Sequence, residues 1–337
     1  MISFNKEIWE SVRNQVPRLP HAVLIQGPEG VGKLALAEGL AARLLCESPT
    51  QDSEACGRCA GCRWVAAGSH PDLRRIEPDA LSQAGASGEE TEADAGGRAS
   101  RRAKPSMEIR VDQVRELADF LYLGSHRGRR RVAIVHPAET MNVHAANALL
   151  KGLEEPPAGA FFLLVSHHPA RLLPTIRSRC VSLSVPRPDA SEALKWLKTV
   201  VPAAEAARWL KFAGGAPRIA AQYARGERGA ALVPYLSALT QGEPGDLPEA
   251  SDREGLEAMA EALQKHAIDR LTVALAGRTI YGTEGAQRST GQQAGALRWA
   301  SFAREMGRAR ALSRHPVNAR LFAAEMKSKL IDVYDNQ

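Results

Sequence analysis

The chain has 337 residues, more than one hydrophobic core usually organises, so we expect two or three domains. Hydrophobic residues make up 44% and charged residues 24%, which are ordinary values for a globular protein and exclude wholesale disorder or a fibrous repeat. The formal net charge of +6 permits contact with polyanions without requiring it. No apolar run approaches the roughly 18 residues of a membrane span, and residues 1–20 lack the apolar core of a secretory signal, so we expect a cytoplasmic protein.

The first half of the chain alternates between buried strands and helices. Residues 21–26 (HAVLIQ) form a short apolar run, followed by a glycine-rich loop and an alanine- and leucine-rich helix over residues 34–46. Residues 131–135 and 161–166 are two further apolar runs, and the helical stretch HAANALLKGLEE between them stops before a proline pair. This alternation predicts a parallel sheet covered on both faces, hence an α/β domain.

The later segments differ in composition. Residues 82–106 are rich in glycine, serine, alanine and charge, which predicts a disordered surface insertion. Beyond Val185 helical signals replace strand signals, and Asp189 or Ser191 is the expected cap of the next helix. In the last hundred residues apolar side chains recur at three- and four-residue steps, which predicts the core of a helical domain. These positions are Leu256, Met259, Leu263, Ala267 and Leu271, then Trp299, Phe302, Met306 and Ala309.

A phosphate-binding loop is predicted by the segment GPEGVGK, residues 27–33. In a G-x-x-x-x-G-K loop, backbone N–H groups and the following helix N-terminus hold phosphates, while the lysine reaches the terminal ones. The candidate nucleotide-binding residues are Gly27, Gly30, Gly32 and Lys33. A plain turn and a working ATPase with an unusual metal shell remain as alternatives.

Two departures from the usual loop argue against ATP hydrolysis. Leu34 stands where a serine or threonine hydroxyl would ligate magnesium. The strand over residues 131–135 ends in His136-Pro137, where an acidic residue is needed, and the nearest carboxylate is Glu139. Both departures remove the metal, so we expect that ATP or ADP can bind but that this chain does not hydrolyse ATP.

Four of the five cysteines lie close together in the sequence, in the pattern Cys46-x9-Cys56-x2-Cys59-x2-Cys62. Four thiolates at this density suit a tetrahedral zinc ion, and because all four ligands come from the protein, the metal is expected to be structural. An iron–sulfur cluster would need another cysteine where residue 66 is alanine, and a redox pair would leave two thiols unused. The fifth cysteine, Cys180, is expected to be a packed apolar side chain.

Taken together, these motifs resemble the clamp-loader branch of the AAA+ ATPases. The resemblance rests on the phosphate loop, the four-cysteine insertion after its helix, NALLKGLEEPP at residues 147–157, and the tripeptide Ser178-Arg179-Cys180. It implies three domains. These are a RecA-like AAA+ domain over residues 1–165 with the zinc module at about 46–62, a small helical lid over residues 166–225 and an oligomerising helical collar over residues 226–337.

The resemblance also implies a mechanism and partners. In the family the arginine of the Ser-Arg-Cys tripeptide projects into the ATP site of the adjacent subunit, so Arg179 would be an arginine finger acting in trans. Arg218, in a segment similar to the second sensor of the family, would face a nucleotide. The partners would be clamp-loader ATPase subunits and the delta subunit, in a five-subunit part of a DNA-directed DNA polymerase, a nucleotidyltransferase. That assembly places a sliding clamp on primed DNA.

Two other functions stay open on the residues alone. One is an active AAA+ motor subunit that hydrolyses ATP in cis. The other is a zinc-ribbon protein that binds nucleic acid and in which the phosphate loop is incidental. Separately, basic clusters at residues 98–104 and 127–131 could bind a phosphate backbone. Neither cluster is interleaved with aromatic side chains that could stack on bases, which favours solvated surfaces.

Overall fold

The described residues form two compact units, Met1–Arg187 and Pro188–Gln337. The structure is a computed structural model. It describes residues 6–13, 16–50, 54–86, 105–122, 130–228, 230–241, 244–283, 293–313, 315 and 317–335.

A parallel sheet of five strands lies at the centre of the first unit. The strands are β1 (Ala22–Gln26), β2 (Leu73–Ile76), β3 (Arg131–Val135), β4 (Ala160–Ser166) and β5 (Val181–Ser184). Their order across the sheet is β2-β3-β4-β1-β5, and every neighbouring pair is parallel. The parallel α/β architecture predicted from the alternating apolar runs is confirmed.

Helices cover both faces of this sheet. They are α1 (Lys6–Arg13), α2 (Lys33–Leu45), α3 (Ala60–Ala66), α4 (Asp79–Ala86), α5 (Val111–Tyr122), α6 (Val143–Glu154) and α7 (Pro174–Arg177). Alternate residues of the central strands enter different cores. Leu24 packs in a cluster with side chains of α5 and α6, whereas Ile25 packs in a cluster with side chains of α1 and α2. Burial on both faces explains why β1, β3 and β4 are almost continuously apolar.

The two edge strands were missed in the sequence. β2 carries Arg74 and Arg75, and β5 alternates with serine, so neither has the continuous apolar run of a central strand. Edge strands have a neighbour on one side only and tolerate polar or charged residues. Because β5 continues the sheet, the first unit ends at Arg187, whereas the expected boundary after residue 165 falls inside β4.

The segment over residues 82–106, expected to be a disordered insertion, begins with helical residues. Ser82 belongs to α4, whose sequence DALSQAGA has three alanines and no proline to end the helix. Residues 87–104 of the insertion lie outside the described residues.

The second unit consists of helices. They are α8 (Ala190–Leu197), α9 (Ala203–Phe212), α10 (Pro217–Ala224), α11 (Val233–Gln241), α12 (Arg253–Ala276), α13 (Gln293–Leu312) and α14 (Ala319–Asp335). The Asp189 side chain accepts a hydrogen bond from the backbone N–H of Ser191 and caps α8, one of the two caps expected. One apolar cluster contains residues from α8 to α14, including the predicted stripes on α12 and α13. The separation of this unit into lid and collar stays a prediction.

A network of paired charges lies within the second unit. Lys265 Nζ is 2.8 Å from Glu261 Oε1 and donates to the Tyr223 hydroxyl at 3.1 Å. Burial alone would raise the pKa of Glu261, but Lys265 and Arg310 hold that pKa below its ordinary value.

Among the described helices of both units, none is long and apolar enough to cross a membrane.

Candidate functional site

The glycine-rich loop joins β1 to α2, as predicted. Gly27, Gly30 and Gly32 have φ angles of 149°, 78° and 87°, which L side chains rarely adopt. A Cβ on Gly27 would lie 2.1 Å from the carbonyl oxygen of Val185, so the start of the loop also requires glycine for space. The glycines therefore shape a loop whose backbone is free to approach a ligand closely.

Lys33 closes this loop on itself. Its side chain is buried, and Nζ donates to the carbonyl oxygens of Gly27, at 2.7 Å, and Pro28. Burial lowers the pKa of Lys33 to about 8, against the opposing effect of Glu139 and Glu29. A phosphate group would have to replace these carbonyl oxygens as the partner of the ammonium group.

Glu139, the nearest carboxylate after β3, lies against the end of β4. A 3-10 turn over Ala138–Thr140 follows β3, and Glu139 Oε1 accepts hydrogen bonds from the backbone N–H of His167, at 2.9 Å, and of His168, at 3.1 Å. The Glu139 charge acts on the pKa of Lys33. The expectation that Glu139 does not take the role of an acidic residue at the end of the strand stays a prediction.

Four buried polar atoms at the ends of β3 and β4 have no hydrogen-bond partner among the described residues. They are Ser166 Oγ, His136 Nδ1, His167 Nδ1 and Glu139 Oε2. The two histidine rings meet edge to face, with centroids 5.2 Å apart. Burial lowers the pKa of His136 to about 4 and also lowers the pKa of His167. This edge of the sheet thus presents neutral rings and unpaired polar atoms, which a polar ligand could satisfy.

Magnesium has few oxygen ligands at this edge. Leu34, in place of a hydroxyl residue, packs against the apolar core beside α2. One oxygen of Glu139 is taken by backbone N–H groups, and neutral imidazole is not a ligand that magnesium prefers.

The four cysteines predicted as a cluster come together in the structure. Their Sγ atoms lie within 4.8 Å of one another, with Cys46 and Cys59 at 4.0 Å and Cys56 and Cys62 at 3.9 Å. Four sulfur ligands about 2.3 Å from a tetrahedral zinc ion would be roughly 3.8 Å apart. The donor set fits zinc.

Backbone N–H groups support these sulfurs. Those of Cys56, Cys59 and Cys62 donate, each at 3.3 Å, to the Sγ atoms of Cys46, Cys56 and Cys59. Hydrogen bonds from the backbone N–H of Arg58 and Cys59 lower the pKa of the Cys56 thiol to about 6. Burial raises the pKa of Cys62 to about 12, so this thiol needs a cation to ionise.

The cysteine module is packed against the end of α2. Cys59 is the N-cap of α3, and the next turn contains Gly61. A Cβ on Gly61 would lie 2.7 Å from the carbonyl oxygen of Leu45, so only glycine allows the two helices to approach this closely. The cluster is held by the fold as well as by its own loop.

Arg179 lies on the turn after α7. Its Nη2 atom is 2.6 Å from Glu154 Oε1, and its side chain is 36% exposed. The neighbouring Cys180 is half-buried, and burial raises the pKa of its thiol to about 11, in keeping with a packed side chain and not a nucleophile.

The remaining basic residues are placed differently. Arg218 is exposed on α10 in the second unit, and its role at a nucleotide stays a prediction. Arg131 is buried at the start of β3, 3.6 Å from Asp72, so it belongs to the interior and not to a nucleic-acid surface. The other arginines of the cluster at 127–131, apart from Arg130, and the whole cluster at 98–104 lie outside the described residues.

A phosphate-binding loop between the first strand of a parallel sheet and its following helix defines the class of P-loop α/β proteins. Residues 5–189, more than half of the chain, match the model of the family described as DNA polymerase III, delta subunit. The chain belongs to this family.

Curated relatives agree with this assignment. DNA polymerase III subunit delta' of Pseudomonas aeruginosa is 46% identical over 226 residues, which are 66% of this chain and 61% of the relative. The delta' subunit of Escherichia coli K12 is 34% identical over 68% of this chain and 62% of its own length. DNA polymerase III subunit tau of Salmonella typhimurium is 33% identical over 55% of this chain and 24% of its own length. The matches span about three fifths of the delta-prime relatives, and the resemblance predicted from the motifs is confirmed.

Proposed function

We propose that this chain is a delta-prime-type subunit of the DNA polymerase III clamp loader. In this proposal it helps to place the sliding clamp on primed DNA during replication and supplies Arg179 in trans to the ATP site of a neighbouring AAA+ ATPase subunit. Its partners are those ATPase subunits and the delta subunit, in a five-subunit assembly. Alone, it has neither polymerase nor ATPase activity.

The placement of Arg179 is the observation that carries this proposal. The guanidinium group is partly exposed. It forms an ion pair with Glu154 and hydrogen bonds with Thr175 and Ser178, and these contacts do not involve the phosphate loop of its own chain. An arginine held in this way is available to a second subunit. Such a finger stabilises charge on the transferring phosphoryl group and contributes on the order of 10³ to 10⁵ in rate.

The phosphate loop supports a binding role without hydrolysis. Its three glycines and Lys33 are the residues that a phosphate-binding loop requires, whereas Leu34 and His136 take the places of magnesium-binding oxygens. The cysteine module adds a structural zinc ion held by Cys46, Cys56, Cys59 and Cys62. The metal would stabilise the end of α2 and would take no part in catalysis.

The test is reconstitution with the ATPase subunits and the delta subunit of the same organism. We expect Arg179→Ala to fold as the parent chain does and to slow turnover at the site that it serves by about 10³. The matched control is Arg177→Ala, an exposed arginine two residues away, which should leave ATP turnover and clamp loading as they are. Clamp-loading ATPase that is unchanged by Arg179→Ala would remove the trans-finger assignment.

A second candidate, an active motor subunit, is favoured by one observation. The charge of the Glu139 carboxylate acts on the pKa of Lys33, and one of its oxygens has no hydrogen-bond partner among the described residues. The isolated chain would then turn over ATP with magnesium at roughly 1 per second, and Glu139→Gln would abolish this turnover. We expect no turnover above background in either form.

A further inference from the structure

Two motifs that are separate in the sequence meet in the structure. Glu154 belongs to NALLKGLEEPP, and Arg179 belongs to the Ser-Arg-Cys tripeptide. Their side chains form an ion pair with 2.6 Å between Glu154 Oε1 and Arg179 Nη2. Nothing in the function proposed above assigns a role to Glu154.

The backbone beneath Glu154 is held in place. Glu154 is the last residue of α6, and His21 Nε2 donates to the carbonyl oxygen of the preceding residue, Leu153, at 3.0 Å. Gly152 lets this helix end lie against β4, because a Cβ there would be only 3.0 Å from the Phe162 ring. The carboxylate therefore extends from a fixed point.

The backbone beneath Arg179 is held as well. Its N–H donates to the carbonyl oxygen of Ile176 at 3.1 Å, and the Ile176 side chain is fully buried in the core under α7. Between these two fixed backbones, the conformations of the two side chains decide where the guanidinium group lies.

The contacts of Arg179 leave donors for another ligand. Nη1 donates to Thr175 O at 3.0 Å and to Ser178 Oγ at 3.3 Å, and Nη2 pairs with Glu154. These contacts use at most three of the five N–H groups of a guanidinium, so at least two remain for phosphate oxygens. A long arginine side chain otherwise loses rotamer freedom when it binds, and an arginine already held in position loses less.

We propose that Glu154 is a positioning residue for Arg179, an inference that rests on the trans-finger function proposed above. Its carboxylate selects the side-chain conformation that presents the free N–H groups of Arg179 to the neighbouring ATP site. The ion pair is partly exposed, at 36% for Arg179 and 48% for Glu154, so solvent weakens it. The guanidinium group is therefore oriented by Glu154 but can still exchange this partner for a ligand.

The test uses Glu154→Ala in the reconstituted clamp loader with its ATPase subunits. We expect the kcat of DNA-stimulated ATP turnover to fall about two- to fivefold, the effect of losing a partly exposed ion pair, with the KM for ATP unchanged. Glu154→Gln keeps a hydrogen-bond acceptor without the charge, so its kcat should lie between those of the parent chain and Glu154→Ala. The matched control is Glu155→Ala, at the adjacent exposed position, which should leave kcat unchanged.

A double-mutant cycle separates positioning from a general structural effect. In the Arg179→Ala background, Glu154→Ala should change nothing further, because the residue that it positions is absent. Three results would overturn the inference and leave the arginine finger in place. The first is a fall in kcat that persists in the Arg179→Ala background, and the second is an increase in kcat. The third is no effect of Glu154→Ala although Arg179→Ala strongly impairs turnover. If Arg179→Ala itself has no effect, the proposed function and this inference fail together.

Discussion

In the cysteine module, three backbone N–H groups donate to sulfur atoms, and the four sulfurs lie within 4.8 Å of one another. At the phosphate-loop edge of the sheet, four buried polar atoms of Ser166, His136, His167 and Glu139 have no hydrogen-bond partner among the described residues. The first region supplies every ligand that a zinc ion requires from its own chain. The second region leaves polar atoms whose hydrogen bonds only a bound ligand or solvent could supply.

The cysteine module therefore has the chemistry of a permanent metal site, whereas the phosphate-loop edge has the chemistry of a site for an exchangeable ligand. A complete set of four protein ligands would leave no open position on a zinc ion, so a metal bound here would be part of the folded structure. At the phosphate-loop edge, a ligand binds only if its own contacts outweigh the hydrogen bond of Lys33 to its own loop.

Replacement of one ligand should break the permanent site. We expect Cys59→Ser to reduce the zinc content from about one ion per chain to near zero and to lower the free energy of unfolding by at least about 3 kcal/mol, because metal binding is coupled to folding. Metal analysis and thermal unfolding of the full chain measure both. The control is Cys180→Ser, outside the cluster, which should retain the metal. A metal-free preparation with unchanged melting would contradict the prediction.

The packing beneath the module should be less sensitive than its ligands. Gly61→Ala places a Cβ 2.7 Å from the carbonyl oxygen of Leu45, so α3 must move, at a cost of about 1 to 3 kcal/mol with the zinc retained. Gly295→Ala is the matched helical control, since nothing lies within 4 Å of a Cβ there, and it should be neutral or stabilising. Equal effects of the two changes in urea unfolding would show that close packing at α3 is unimportant.

The buried His136 ring at the phosphate-loop edge should make the free energy of unfolding depend on pH. The pKa of His136 in the folded chain, about 4, lies below the ordinary 6.5, so its stabilising contribution is present above pH 6.5 and is lost as the pH falls toward 4. Between pH 7 and 5, His136→Asn should therefore lose about 1 to 2 kcal/mol less than the parent chain.

Urea unfolding of the full chain at the two pH values measures this difference. His144→Asn, at an exposed position on α6, is the control and should follow the parent chain. Parallel losses in the His136 variant and the parent would show that this ring is not held neutral by the fold.

The sequence predicted the central strands and missed the edges for the same physical reason. β1, β3 and β4 are buried on both faces and need continuous apolar residues, whereas β2 and β5 lie at the edges, where Arg74 or Ser182 is tolerated. The cysteines were predictable as a cluster because their spacing is local. The approach of Glu139 to Lys33 was not, because no short-range pattern links residues more than a hundred positions apart.

Patterns in the amino-acid sequence were enough to predict the α/β first unit, the helical second unit, the phosphate loop and the cysteine cluster. Each of these depends on periodicity or spacing over a few residues, which local chemistry is enough to specify. No sequence pattern predicted that Lys33 bonds to its own loop, that Glu139 accepts a hydrogen bond at the end of β4, or that Glu154 pairs with Arg179. These contacts depend on how parallel strands and their crossover helices bring distant segments to one edge, and that geometry exists only in the folded chain.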